Sequence, residues 1–198
     1  MVESAANHIV SSFDGELTRL RDRIAEMGGL AEAQLDDAIQ AIARRDADLG
    51  RRTAALDAEI DDRERDIEAH VVRLLALRQP MAVDLREIIA ALKTASDIER
   101  IGDYAANVAK RAVVLSSAPP VRAARSIPVM GELTRRIVHD VLNAYADRDA
   151  AQALAVWRAD EEVDAIYTSL FRELLTYMME DPRTITACTH LLFVAKNL

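Results

Sequence analysis

The sequence is poor in residues that interrupt helices and in residues that form covalent cross-links. Its 198 residues include only 6 Gly, 5 Pro and a single Cys. One cysteine excludes an intramolecular disulfide framework. The scarcity of helix breakers, together with 51% hydrophobic residues, predicts a helical globular chain that can bury a sizeable core.

Three further absences bear on where the chain works. Its first residues lack the basic flank and apolar stretch of a signal peptide, so a cytoplasmic location is expected. No apolar run approaches the roughly 20 residues that cross a bilayer, so membrane contact is expected only through partners. The net charge of −8 disfavours nucleic acid as a partner, because a phosphate backbone repels an acidic protein.

Motifs for nucleotide binding and nucleophilic catalysis are also missing. The six glycines form neither a Walker A pattern nor a dinucleotide-binding pattern. No Ser, Cys or Lys lies in a recognisable nucleophile motif. The sequence therefore predicts a protein that is not an enzyme.

Apolar residues recur at steps of three and four along nearly the whole chain, which predicts an all-α protein. The chain also contains an internal repeat, because MGGLAEAQLDDAIQAIARRDA from Met27 matches MGELTRRIVHDVLNAYADRDA from Met130. Pro80 and Pro182 interrupt the two copies at similar places, and a proline-rich linker at 116–128 separates them. We predict two tandem antiparallel three-helix bundles, at 1–117 and 118–198, with six helices in all.

A pair of carboxylates stands out in the predicted third helix. Glu99 lies in a heptad of otherwise apolar or small residues, and Asp103 follows one turn later. A carboxylate in such a seam is desolvated, and like charges one turn apart disfavour the helix. A cationic partner is therefore expected, either a metal ion or a basic side chain such as Arg100 or Lys93. Carboxylate ligands favour Mg, Mn, Ca or ferric iron ions.

Acid pairs recur at two other places. Asp160 and Asp164 lie in an apolar stripe of the fifth predicted helix, and the repeat offset relates them to Asp57 and Asp61 in the second. The acids of the second helix form a continuous stripe, which a solvated face explains equally well. A metal-free helical adaptor thus stays open. So does a carboxylate-bridged di-metal enzyme, although none of the four histidines follows a Glu by three positions.

Several segments resemble the PhoU family of bacterial phosphate-signalling regulators. They are MGGLAEAQLDDAI, LRQPMAVDLREIIAALKTASDIERIGDYAANV and LLTYMMEDPRTI, and the similarity covers nearly the whole chain. The resemblance implies paired three-helix bundles with acid-x-x-x-Asp motifs that hold metal clusters in some members. Position by position, it implies metal ligation by Glu99, Asp103, Asp57, Asp61, Asp160 and Asp164, with Arg100 supporting the ligands without touching the metal.

The resemblance also implies a function and partners. Members of the family repress the phosphate-starvation response by linking the ATPase of a phosphate ABC transporter to a sensor histidine kinase. They continue from VAKNL into a second ERIGD segment, whereas this sequence ends at Leu198, so a shortened last helix is expected. The apolar face that this would leave open, including Tyr145, Trp157 and Phe171, predicts a homodimer or a frayed end.

Overall fold

The computed structural model describes the backbone of residues 2–198 and the side chains from residue 13 onward. The described backbone is helical with no strand, which confirms the all-α prediction. Two short 3₁₀ helices, at Arg122–Arg125 and Pro182–Thr184, precede α5 and α7. The α-helices are α1 (Val2–Arg44), α2 (Ala47–Ala55), α3 (Asp57–Arg78), α4 (Ala82–Ser117), α5 (Ser126–Asp147), α6 (Ala150–Glu180) and α7 (Ile185–Asn197).

The second helix of the predicted six is divided into α2 and α3 at Leu56. The backbone N–H of Leu56 bonds to the carbonyl of Thr53 at 3.2 Å, which is the tighter spacing of a 3₁₀ turn. No glycine or proline marks this break in the sequence. The first repeat therefore consists of α1, the α2–α3 pair and α4, and the second consists of α5, α6 and α7.

The first turn of each repeat has the same construction. Arg45 and Arg148 both have left-handed backbones, with φ of 56° and 55°, and end α1 and α5. Each is followed by an aspartate that caps the next helix. The Asp46 carboxylate accepts bonds from the backbone N–H groups of residues 48 and 49, and the Asp149 carboxylate accepts from those of residues 151 and 152.

The repeats pack through α1 and α5 about a pseudo-two-fold axis. Gly28 lies against Leu142, and its counterpart Gly131 lies against Ile39, the counterpart of Leu142. A Cβ on either glycine would lie 2.7 Å from the facing side chain, which would have to shift to admit it. Such an exchange of equivalent contacts defines an isologous interface, here within one chain.

Charged side chains follow the same symmetry at the centre of this interface. Arg135 lies 3.4 Å from Glu32, its repeat counterpart 103 positions earlier. His139 contacts Glu32 at 3.1 Å, and Arg135 contacts Asp36, the counterpart of His139, at 4.0 Å. The axis therefore passes close to the Glu32–Arg135 pair.

Two hydrophobic cores lie along α1 and α4. The smaller core joins the first halves of α1 and α4 with α3, and Tyr145 packs half-buried against it rather than on an open face. The larger core joins the second halves of α1 and α4 with α5, α6 and α7. The domain boundary after residue 117 coincides with the end of α4, but it stays a prediction because this core includes both repeats.

The last helix, α7, is held against α4 by polar and aromatic contacts. The guanidinium of Arg111 lies 4.2 Å from the ring centre of Phe193 and 3.3 Å from Nδ1 of His190.

On α6, Trp157 is 75% exposed and Phe171 is 40% exposed. No described helix combines the length and apolar character that crossing a membrane requires.

Glu87, near the start of α4, is held by one arginine from each repeat. Its Oε1 accepts a 2.6 Å bond from Nε of Arg21 on α1 and a 2.7 Å bond from Nη2 of Arg148. Burial acts to raise the pKa of Glu87, but the bonds and charges of the two arginines lower it below its ordinary value. This ion pair links the two repeats at the end of α4 opposite the linker.

Replacing Glu87 by Gln should destabilise the protein by about 1 to 3 kcal/mol at neutral pH, because two arginines lose a charged acceptor. A carboxyl whose pKa is lowered in the folded state stabilises the protein at pH values above its pKa in the unfolded state. That stabilisation is lost as the pH falls through the pKa of the folded state, which lies below 4.5. Urea unfolding over a pH series should show that the difference in the free energy of unfolding between wild type and Glu87→Gln becomes smaller at acidic pH.

Asp48→Asn is the matched control, because Asp48 and Arg51 form an exposed pair within one helix. Its effect should stay within about 0.5 kcal/mol at every pH. A Glu87→Gln effect no larger than this would show that the pair does not stabilise the contact between the repeats.

Candidate metal centre

The predicted site lies at a contact between α3 and α4. A Cβ on Gly102 of α4 would lie 2.8 Å from Cδ1 of Ile60 on α3, so the glycine lets the two helices meet. Ile60 is 2% exposed and belongs to the smaller core. Glu99 and Asp103 flank Gly102 along α4. Asp57, Asp61 and Glu64 flank Ile60 along α3.

This contact brings acidic side chains of the two helices together. Four of the carboxylates are half-buried, and the fifth, Asp103, is exposed. We call this group the acid cluster; it consists of Asp57, Asp61, Glu64, Glu99 and Asp103. Four of these residues are sequence-predicted metal ligands, and the structure places the pairs from α3 and α4 opposite each other.

Electrostatics shows how closely the charges of the acid cluster interact. Burial raises the pKa of Glu99, and the charges of Asp103, Glu64, Asp61 and Asp57 raise it further. Burial likewise raises the pKa of Asp57, with the charge of Asp103 as the next cause. The neighbouring carboxylates therefore make ionisation of Glu99 and Asp57 less favourable.

Basic side chains compensate little of this charge. Arg100 is directed to Asp97 at 3.6 Å and to the Tyr104 hydroxyl at 3.4 Å. Among the described residues, no ion pair joins Glu99, Asp103 or Asp57 to a basic group. Asp61 lies 3.7 Å from Arg65 of its own helix. Lys110 acts on Asp57 only through its charge, which opposes the increase in the pKa.

The donor set of the acid cluster fits a hard cation in kind. Carboxylate oxygens are the ligands that Mg, Mn, Ca and ferric ions prefer. As the described side chains stand, no three Asp, Glu, His or Cys groups are arranged to hold one ion. Binding would therefore require the carboxylates to converge by rotation about their side-chain bonds, which partly exposed Asp and Glu residues allow.

The third predicted pair is separate from the acid cluster. Asp160 and Asp164 lie one turn apart on α6 of the second repeat, and both are exposed. The structure thus groups the α3 and α4 pairs and leaves the α6 pair on a solvated face.

The described histidines lie away from the acid cluster. His70 contacts Glu16 at 3.4 Å, His139 contacts Glu32, and His190 contacts Arg111. The imidazole ligands of a Glu-x-x-His di-metal site are therefore not supplied by these three side chains.

Sequence reasoning missed two features of the site. Glu64 belongs to the acid cluster, although the sequence allowed the acids of this helix to be simply a solvated face and did not predict Glu64 as a ligand. Gln34 was not among the predicted site residues. It is completely buried on α1, and its Oε1 lies 3.3 Å from the Cβ position of Gly102. An amide within an otherwise apolar stripe was the available signal.

The fold and the site define a class of helical protein in which two similar bundles are joined by an isologous interface and carboxylates line one helix pair. The PhoU domain model matches residues 24–112 and 127–198. The chain belongs to the PhoU family.

Two bacterial relatives illustrate the similarity in sequence. A protein of Caulobacter vibrioides (strain NA1000 / CB15N) is 54% identical over 192 residues, which are 96% of this chain and 84% of the relative. One of Rhizobium meliloti (strain 1021) is 50% identical over 192 residues, which are 96% of this chain and 81% of the relative. Both are named phosphate-specific transport system accessory protein PhoU homolog.

Solved structures show the same architecture. The crystal structure of PhoU from Pseudomonas aeruginosa has a TM-score of 0.90 at 40% identity, covering 93% of this chain and 89% of that one. The phosphate transport system regulatory protein PhoU from Streptococcus pneumoniae has a TM-score of 0.86 at 29% identity, with coverages of 93% and 87%. The predicted fold and family are thus confirmed.

Replacing Gly102 by Ala should destabilise the protein by about 1 to 3 kcal/mol, because Ile60 and Gln34 must move to admit the Cβ. An alanine inside a helix is otherwise favoured over glycine by about 1 kcal/mol. Gly29→Ala is the matched control, since a Cβ there meets nothing within 4 Å. Denaturant unfolding measures the free energy of unfolding of both variants relative to wild type. If Gly102→Ala gained as much stability as Gly29→Ala, Gly102 would not limit the approach of α3 and α4.

Proposed function

We propose that this chain is a regulatory accessory protein of a bacterial phosphate transport system. The observation that carries the proposal is similarity over nearly the whole chain to relatives of that name, at 54% and 50% identity. The regulatory name of the Streptococcus pneumoniae structure, matched at a TM-score of 0.86, supports the same role.

The finer proposal is that the protein represses the phosphate-starvation response in the cytoplasm. It would do so by linking the ATPase of a phosphate ABC transporter to a sensor histidine kinase. Such a link requires only different affinities for two states of its partners, and about 1 to 3 kcal/mol of coupling is typical. We therefore propose an adaptor rather than an enzyme. The homodimer predicted from the sequence belongs to the same proposal.

We further propose that the acid cluster binds a hard cation such as Mg, Mn, Ca or ferric iron. Glu99, Asp103, Asp57 and Asp61 would be its ligands, because their mutual repulsion favours a positive charge between α3 and α4. The cation would supply that charge and no other chemistry. Arg100 would support Glu99 through its charge. The exposed pair Asp160 and Asp164 would contribute a weaker second site.

The cation proposal is tested with Glu99→Gln combined with Asp103→Asn, which keeps the side-chain sizes and removes both charges. Binding of Mn²⁺, measured by titration calorimetry on protein stripped of metal, should fall below detection. Elemental analysis of protein purified without chelator should show the same loss. Asp62→Asn with Asp66→Asn is the matched control, because both acids are exposed one turn apart on α3. Metal content that survives in the first variant would contradict the assignment.

The regulatory proposal is tested by deleting the gene in its own bacterium. A phosphate-responsive reporter should then stay active in phosphate-replete medium, since the repressing link is lost, and a wild-type copy should restore repression. Pull-downs should detect the transporter ATPase and the kinase, with binding that weakens as salt rises because the chain is acidic. Normal repression without binding to either partner would refute the regulatory function.

A further inference from the structure

A buried polar pair, Gln34 and Thr53, lies next to the acid cluster. Gln34 is 0% exposed and Thr53 is 1% exposed. Nε2 of Gln34 donates a 3.1 Å hydrogen bond to the backbone carbonyl of Thr53, in the last turn of α2. The same carbonyl accepts the bond from Leu56 that tightens the junction between α2 and α3. Gln34 therefore holds, from α1, the point at which α2 ends and α3 begins.

Stability alone does not explain an amide at this position. Oε1 of Gln34 and Oγ1 of Thr53 are both buried without a hydrogen-bond partner among the described residues. An unpaired buried polar atom costs about 1 to 3 kcal/mol, whereas a neutral hydrogen bond contributes only about 1 kcal/mol. A methionine of similar length and helix propensity would avoid the unpaired oxygen. What the Gln34 amide supplies, and an apolar side chain would lack, is the hydrogen bond to the Thr53 carbonyl.

The position of the amide relates it directly to the acid cluster. Its unpaired Oε1 is directed at Gly102, the residue that separates Glu99 from Asp103 on α4. The carbonyl that its Nε2 holds lies one turn before Asp57, the first residue of α3. A displacement of the α2–α3 junction would therefore move Asp57 relative to the carboxylates of α4.

We propose that Gln34 is a positioning residue for the acid cluster. By holding the carbonyl of Thr53, it fixes the start of α3 and keeps Asp57 opposite Glu99 and Asp103. The acid-x-x-x-Asp motif does not include Gln34. The functional role that we infer for Gln34 rests on the proposed cation binding. Its direct effect on the order of the α2–α3 junction requires no cation.

Gln34→Met tests the proposal, because it keeps the side-chain length and removes the donor. Thr53→Val is the matched control, since it removes the unpaired hydroxyl and keeps the backbone carbonyl. In metal-free Gln34→Met, amide hydrogen exchange at residues 55–58 should speed up by about tenfold while the unfolding midpoint in urea is unchanged or higher. The affinity for Mn²⁺ should fall by about 10- to 100-fold, as for other residues that orient metal ligands. Thr53→Val should match wild type in both measurements.

Three results would overturn the proposal. The first is that Gln34→Met leaves exchange at the junction and the affinity for Mn²⁺ as in wild type. The second is that Thr53→Val shows the same losses, and the third is that exchange in Gln34→Met rises throughout the protein, because Gln34 would then act as an ordinary core residue. If wild type binds no Mn²⁺, the proposed cation binding fails, and the junction exchange alone decides: faster exchange confined to 55–58 supports positioning, and unchanged exchange overturns it.

Discussion

Ile60 of α3 packs into the space that a Cβ at Gly102 of α4 would occupy, and the acid cluster is built around this contact. A larger residue at 102 would displace the Ile60 side chain within the smaller core. It would also press on the Gln34 amide, which occupies the other side of the same space. The close approach explains why a glycine is found inside a long helix, where it ordinarily costs about 1 kcal/mol relative to alanine.

The same contact holds five carboxylates near one another in spite of their repulsion. Burial of Ile60 and the neighbouring apolar side chains of α3 and α4 keeps the helices paired, and the charges cannot separate without exposing that core. A region in which the fold opposes electrostatic repulsion responds strongly to any added positive charge. A cation or a basic partner surface would each relieve the repulsion.

Periodicity and the internal repeat were enough to predict the helices, the two-fold repetition and the positions of the acid pairs. These features depend on local spacing, which the sequence records directly. The break at Leu56 was not predictable, because it involves a hydrogen bond from Gln34 to Thr53, 19 positions away. The Glu87–Arg148 pair was missed for the same reason, since its partners are 61 positions apart. Metal ligation by the acids of α3 and α4 was implied by the family resemblance and not by spacing, which left a solvated face equally acceptable for α3.

The two repeats share their turns and their interface, and α4 packs against both of them. In the first repeat, α4 presents Glu99 and Asp103 to the acids of α3. The acid cluster lies in the first repeat, and α4 connects it to the second. Glu87 and Glu99 lie on this helix about 18 Å apart, at 1.5 Å per residue. Its buried alanines, including Ala105, Ala109 and Ala112, pack closely against neighbouring helices and leave little room for α4 to move. One tightly packed helix thus fixes the acid cluster relative to the ion pair that joins the repeats.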